Sequence, residues 1–412
     1  MLQTNSKKVK KGDIFIALKG INDDGHNYIE DATKKGASKI ISNNGEEYIN
    51  QYIKDNYIDI NIIGVTGTNG KTTTCYLIYQ LLNKIGIKCA YIGTIGYIVD
   101  NIHEELDNTT PSKLDTYYLL KRSKELDCKY VVMEISSQAL EQDRVDFIKL
   151  DYIIYTNITR DHLDYHKTMN NYIKAKLKIF NLLKDNGVAL INNDDKYSNL
   201  FKTNNYKTYG IINKSDYMLD NYKYNLIGEF NKYNLLASIS VLYNMGYTYN
   251  DLYNIVSTLK EPKGRMDLIE YNNNKIIVDY AHTPDALENV LNTVKNIKHN
   301  KIITIIGCGG NRDKGKRKIM GKLSTRLSDY VIFTSDNPRY EDELDIINDM
   351  ISELDIDNYE IESNRKKAIK RGIQLLSNND ILMVLGKGHE NYQIIKNKKI
   401  FFDDKQVILD NI

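Results

Sequence analysis

Ile62-Ile63-Gly64-Val65-Thr66-Gly67-Thr68-Asn69-Gly70-Lys71-Thr72-Thr73-Thr74 decides the reading of this 412-residue chain. An apolar, β-branched run ends in a glycine-punctuated turn, and an amphipathic stretch follows over residues 75–84. Strand, glycine loop and helix in that order make a phosphate-cradling site. Glycines let backbone N–H groups close on phosphate oxygens, and the helix N-terminus adds positive potential. Lys71 offers a point charge to the outer phosphates and Thr72 a hydroxyl ligand to Mg²⁺. The position five before Gly70, usually a glycine in such loops, is Val65, so the loop has a shorter form, Gly-Thr-Asn-Gly-Lys-Thr.

Outward from that loop, the length suggests two to four domains with ample buried core. A net charge of +2 and a charged fraction of 27% give no reason to expect nucleic acid or a membrane surface as partner. The 4 Pro and absence of Trp, with abundant Asn, Lys, Ile and Tyr, reflect a composition bias rather than a function. Cys75, Cys89, Cys128 and Cys308 lie far apart without Cys-x-x-Cys spacing, which predicts buried free thiols and a reducing, cytoplasmic setting. The N-terminus has no apolar core of a signal peptide, and no run approaches 18 apolar residues, so no membrane insertion is expected.

In chain order, the pattern predicts a small α/β unit with strands at 13–18 and 39–41 and helices at 28–35 and 46–55. From 60 to 262 strands and helices alternate as in a parallel sheet covered by helices. Strands at 131–133, 152–156 and 188–191 each end in a polar cluster. A third block has strands at 275–279, 301–307, 330–335 and 380–386, ending in polar or glycine-rich loops. Ligands of open α/β sheets sit beyond the carboxyl ends of the strands, where these clusters fall. The expected fold class is α/β in three domains: a small N-terminal α/β domain (1–58), a central P-loop parallel-sheet ATPase domain (59–262) and a C-terminal Rossmann-like domain (263–412). Glu134 and the imidazoles of His162 and His166 follow neighbouring strands and are plausible Mg²⁺ ligands near transferring phosphates; capping or core roles are the alternative for the histidines.

Residues 67–74, Asn108-Thr109-Thr110-Pro111, Glu134-Ile135-Ser136-Ser137, 156–166, 279–285, Asp336-Asn337-Pro338-Arg339 and 386–390 together resemble the Mur ligases. The resemblance runs from about residue 4 to residue 412. It implies a three-domain, ATP-dependent amide ligase adding the third residue of the peptidoglycan stem peptide. The carboxylate of a UDP-linked muramoyl dipeptide would take the ATP γ-phosphoryl group, and an incoming amine would attack the acyl phosphate.

By the same resemblance, Lys71, Glu134, His162 and Lys176 are the catalytic set, with Lys176 carbamylated and joining Thr72, Glu134 and His162 around the metal. ATP would be held by Gly67, Thr68, Asn69, Gly70, Lys71, Thr72, Thr73, Asn234, Arg265, Asp279 and His282. Ser6, Asn22, Asp23, Thr109, Thr110, Ser136, Gln142 and Arg144 would hold the UDP-muramoyl substrate. Asn5-Ser6-Lys7 stands where the family has an Asp-Ser-Arg segment, and the strand and helix expected before it have no counterpart. Arg312, Asp336, Asn337, Pro338, Arg339, Gly386 and Glu390 would hold the amino acid. Diaminopimelate carries one carboxylate more than lysine, and Arg339 is the fork that would read it; otherwise Arg339 pairs with Glu341 or Asp342. The expectation is meso-diaminopimelate, ATP and Mg²⁺ on a monomer. Alternatives are a lysine-adding or divergent ligase, and a silent nucleotide-binding paralogue.

Overall fold

A computed structural model describes residues 1–20, 23–203, 205–297 and 299–412. Its centre is an eight-stranded sheet, in spatial order Tyr206–Tyr209, Leu183–Asn192, Leu150–Tyr155, Asn61–Thr66, Tyr130–Glu134, Cys89–Gly93, Gly96–Val99 and Ile102–Glu104. The first six strands are parallel, and the last two form an antiparallel edge. Asn61–Thr66 lies inside this sheet, and its alternating side chains serve two cores. Ile62 packs into one apolar cluster, while Ile63 and Val65 pack into the other, under the helix Lys71–Lys84. Burial on both faces explains why the strand reads as a continuous apolar run.

A six-stranded sheet follows, in order Asp267–Tyr271, Asn274–Asp279, Ile381–Leu385, Ile302–Ile306, Tyr330–Phe333 and Tyr359–Ile361. Only Asp267–Tyr271 runs antiparallel. The N-terminal sheet is three short parallel strands, Leu2–Gln3, Ile14–Ile16 and Lys39–Ile41. Its helix Gly45–Asp55 packs Ile49 and Ile53 against Leu114 and Tyr117 of the central helix Lys113–Glu125.

One expectation is corrected and one element is added. A strand does precede 13–18: Leu2–Gln3 pairs with Ile14–Ile16, and Leu2 exchanges hydrogen bonds with the Tyr118 hydroxyl. A two-residue strand carries too little alternation to read from sequence. Beyond 380–386, the last strand expected from the sequence, Tyr392–Ile395 and Lys398–Phe401 form an antiparallel hairpin. Its outer strand, Lys-Lys-Ile-Phe, is exposed throughout, so no apolar alternation marks it. All four cysteines are unpaired and buried. No helix among the described residues is long and apolar enough to cross a membrane.

Candidate active site

The glycine loop follows directly from its strand. Gly70 caps the helix with a left-handed backbone at φ 85°, and a Cβ there would lie 2.4 Å from the Asn234 side-chain oxygen. A Cβ on Gly67 would lie 1.9 Å from Thr156 Oγ1. Both positions therefore require glycine. The segment after strand Leu150–Tyr155 clamps the loop from outside. Thr68 N donates to Asn157 O (2.8 Å) and Asn69 N to Asn157 Oδ1 (3.0 Å), while Thr156 Oγ1 donates to Asn69 O (2.7 Å). The N–H groups of residues 70–73 have no protein acceptor among the described residues and point from the first helical turn, the arrangement that receives an anion.

Two lysines meet behind this loop. Lys71 Nζ donates to the carbonyls of Gly67 (2.9 Å) and Thr68 (2.7 Å), and Lys176 Nζ donates to the same Gly67 oxygen (2.7 Å). Neither has a carboxylate within ion-pair distance among the described residues. Burial lowers both ammonium groups; Lys71 repels Lys176 further, which drops well below the usual lysine range. Lys176 is 1% exposed and lies over the Tyr172 ring at 4.7 Å.

Glu134, fully buried, faces the same cleft. Its carboxylate accepts from Thr72 Oγ1 (2.9 Å), Thr94 Oγ1 (3.1 Å), Thr94 N (2.8 Å) and Tyr91 OH (2.6 Å). Thr72 hydroxyl and Glu134 carboxylate are thus adjacent oxygen donors, a donor set suited to a hard cation. Among the described residues no group of three or more His, Cys, Asp or Glu side chains gathers as a metal site. Mg²⁺ keeps waters and phosphate oxygens as ligands, so two protein oxygens are compatible with it. His162 Nε2 is 3.2 Å from Asp161 Oδ2, and His282 Nε2 approaches that oxygen at 4.0 Å from the C-terminal domain. Burial lowers the imidazoles to about 4 and about 3, so both are neutral at pH 7. Burial alone would raise Asp161, but His162 and His282 hold it below the ordinary range.

Two connected cavities surround the loop. One of about 370 Å³ runs past Asn234, Phe230, Tyr209 and Asp279, and the other of about 590 Å³ past Lys71, Glu134, His162, Lys176 and His282. They share Asn69, Gly70, Thr73, Arg265 and Ala286, so one ligand can lie in the first and extend into the second. Thr68, Thr72, Thr109, Thr110, Ser136, Gln142, Arg144 and Arg312 also line the larger cavity. Arg144 is held by Gln142 Oε1 (2.9 Å) and Thr110 O (3.0 Å), with no carboxylate partner among the described residues. Asp279 lines the smaller cavity, yet its two oxygens accept from Met266 N and Ala281 N, both at 2.7 Å, so it also fixes the turn that presents Arg265. Arg265 lies over Tyr280 (4.5 Å) and donates to Thr72 Oγ1 (3.3 Å).

Three C-terminal loops converge nearby. Gly310 N donates to Asn337 O (2.9 Å), and a Cβ on Gly309 would lie 2.9 Å from Arg339 Nη1 and 3.6 Å from Arg312 Cγ. Arg339 donates to Gly310 O (2.9 Å) and Asn337 O (3.3 Å) but meets no carboxylate among the described residues. Glu341, its expected alternative partner, is taken by Arg317 (2.9 Å) and Lys314 (3.2 Å). Glu390 accepts from Lys387 (3.0 Å) and Asn337 (2.9 Å), and Gly386 abuts Asp336. Pro338 carries the chain from Asn337 to Arg339 beside Gly310.

Ser6 and Asp23 line neither cavity, and Asn22 lies outside the described residues. Ser6 is buried, its carbonyl accepting from Lys35, while Asp23 accepts from Tyr28 OH. The sequence reading gave no role to Asn157, Asp161 or Asp285, although Asp285 accepts from Asn69 Nδ2 (2.6 Å) across the domains. The signal for Asn157 and Asp161 was their place directly after a strand end.

A glycine loop with uncompensated lysines, faced by a second α/β domain carrying its own arginines, defines a nucleotide-dependent enzyme of two cooperating sheets. Family models agree: Mur ligase family, catalytic domain matches residues 1–67, Mur ligase middle domain 65–242, and Mur ligase, glutamate ligase domain 264–388. The chain belongs to the Mur ligase family. It is 41% identical to UDP-N-acetylmuramoyl-L-alanyl-D-glutamate--2,6-diaminopimelate ligase of Fusobacterium nucleatum, over 98% of this chain and 92% of that protein. Identity to the enzyme of that name in Clostridium perfringens is 38%, over 99% and 94%. A solved structure of a ligase of that name superposes with a TM-score of 0.63 at 32% identity, covering 100% of this chain and 94% of that one. MurF ligase from Thermotoga maritima in complex with ADP shares the fold, with a TM-score of 0.68 over 93% of each chain at 18% identity.

Proposed function

We propose that this protein joins meso-diaminopimelate to UDP-N-acetylmuramoyl-L-Ala-D-Glu at the expense of ATP; the names of its relatives state a ligase of that UDP-muramoyl dipeptide and 2,6-diaminopimelate. The observation that carries the reading is two sets of cations without carboxylate partners among the described residues: Lys71 and Lys176 on Gly67 O, and Arg339 on Gly310 O. Each wants an anion, and the reaction brings phosphates and carboxylates to both. The domain limits that fit are 1–58, 59–262 and 263–412.

A carboxylate is a poor electrophile. Transfer of the γ-phosphoryl group to its oxygen gives an acyl phosphate and ADP. The amine then attacks the acyl carbon, phosphate leaves with the C–O electrons, and the amine proton is lost to form the amide. The adenosine sits by Asn234, and the phosphates lie on the N–H groups of residues 70–73. Lys71 turns from its loop carbonyls to the γ-phosphoryl group, offsetting repulsion between the two anions. Mg²⁺, held by Thr72 and Glu134 with His162 nearby, would supply further positive charge there. Burial and the neighbouring Lys71 lower Lys176, which favours the amine form that adds CO₂ and supports a carbamate at that position; its new carboxylate would answer the charge of Lys71. Thr109, Thr110, Ser136, Gln142 and Arg144 line the path of the muramoyl dipeptide. Arg339 takes the distal carboxylate of the amino acid. Lysine would leave that half-buried guanidinium unpaired, which disfavours it.

The test is ATP-dependent phosphate release with UDP-N-acetylmuramoyl-L-Ala-D-Glu and a panel of amino acids. Turnover with meso-diaminopimelate far above L-lysine is expected; equal or better turnover with L-lysine overturns the assignment.

A further inference from the structure

The hairpin Tyr392–Ile395/Lys398–Phe401 lies past residue 388, where the family's C-terminal model ends, and none of its residues lines either cavity. It is nevertheless bonded to the segment carrying Arg339 by five hydrogen bonds. Gln393 Nε2 donates to Asp336 O (2.6 Å) and Ser335 Oγ (3.2 Å). Ile394 N donates to Asn337 Oδ1 (2.8 Å). Arg339 N donates to Ile394 O (3.0 Å), and Lys396 N to Arg339 O (2.6 Å), so Arg339 joins the hairpin as a one-residue parallel bridge.

Arg339 itself has φ 53°, a left-handed conformation that costs an arginine about 1 kcal/mol or more unless its surroundings hold it. The two backbone bonds on either side of Arg339 do that. They also set the direction from which its guanidinium meets Gly310 O. An isolated two-stranded hairpin is marginal in water, so the dependence is mutual: loop and hairpin order each other. At its base, Asn391 Nδ2 reaches Glu105 Oε1 (2.5 Å), three residues before Asn108 in the central domain.

We propose that this hairpin is the positioning clamp for amino-acid selection. By fixing residues 336–339 it holds the Arg339 fork where the distal carboxylate of the incoming amino acid arrives. This rests on the functional reading above. Two measurements separate the failure of one from the failure of the other.

Gln393→Ala removes both side-chain donors and leaves the strands intact. Amide hydrogen exchange over residues 335–340 should quicken about tenfold relative to wild type, with exchange in strand Asn61–Thr66 unchanged. That readout does not depend on which substrate the enzyme uses. In steady state, KM for meso-diaminopimelate should rise about 5- to 20-fold while KM for ATP stays within about twofold, and the preference over L-lysine should narrow. Unchanged exchange at 335–340 in the folded variant overturns the clamp, as does an equal rise of both KM values. A wild-type enzyme that ignores meso-diaminopimelate, with exchange at 335–340 still quickened in the variant, overturns the substrate assignment and leaves the clamp standing.

Discussion

The floor of the cleft and the back of the C-terminal sheet both bury cations, but treat them differently. Behind that sheet, Arg365 and Asp404 are each fully buried and paired at 2.6 Å, and Arg365 also donates to Leu385 O. Arg317, 1% exposed, is shared by Glu341 and Asp349. Lys71, Lys176 and Arg144 in the cleft, and Arg339 in the C-terminal loop near it, rest on carbonyls or amide oxygens and meet no carboxylate among the described residues. Cations satisfied within the chain hold the chain together. Cations left on neutral oxygens hold charge in reserve for a ligand.

The largest effect that would break this contrast is on chemistry. Lys71→Ala should lower phosphate release roughly 10³-fold while the thermal midpoint stays put or rises, because a buried ammonium resting only on carbonyls is removed. Near wild-type turnover would remove Lys71 from the reacting phosphates. Lys176→Ala should be equally inactive but regain part of its rate in formate or acetate. Full activity without rescue would place Lys176 outside the site.

Asp404→Ala should do the opposite and cost about 3–5 kcal/mol in urea unfolding, since Arg365 is left buried and alone. A loss below about 1 kcal/mol would show that water reaches Arg365. Arg339→Ala should leave the urea midpoint nearly unchanged and reduce the preference for meso-diaminopimelate over L-lysine by roughly 10²-fold. A preference that survives the substitution would move specificity elsewhere.

The smallest effect concerns pH. Burial lowers His389 to about 3, and its Nδ1 has no partner, so the folded state keeps this imidazole neutral. The unfolded chain takes up its proton near pH 6.5, hence the stability it contributes is present above that value and declines as pH falls toward 3. The wild-type thermal midpoint should therefore drop more steeply between pH 7 and 5 than that of His389→Asn. Parallel curves would mean that the buried imidazole is not the titrating group.

The cleft side of the contrast was largely legible in the sequence, because its residues stand in short runs at strand ends. Gly67 to Thr73 and Asp336 to Arg339 each follow a strand and announce a loop by composition, whereas Thr109, Thr110, Arg144 and Lys176 are reached only through the family resemblance. The paired cations were not legible. Arg365 and Asp404 are 39 residues apart, and nothing local marks either. Asn157 falls in a polar run directly after a strand, but its grip on Thr68 and Asn69 spans 88 or more residues and exists only once two strands lie side by side. The hairpin at 392–401 was missed for a different reason, since its exposed lysine-rich strand is held by a neighbouring loop rather than by an apolar face.

The four buried cysteines offer a consequence of another kind. Cys75 lies one turn into the helix that starts at Lys71, Cys89 and Cys128 lie elsewhere in the central domain, and Cys308 opens the loop that carries Arg312. Burial raises all four thiols, which keeps them protonated and slow toward alkylating reagents. Each is thus a native clock: the rate at which a thiol is labelled measures how often its own segment opens to water. Cys75 times the glycine-loop helix and Cys308 the amino-acid loop, so the motions of the two domains can be followed separately without introducing a probe.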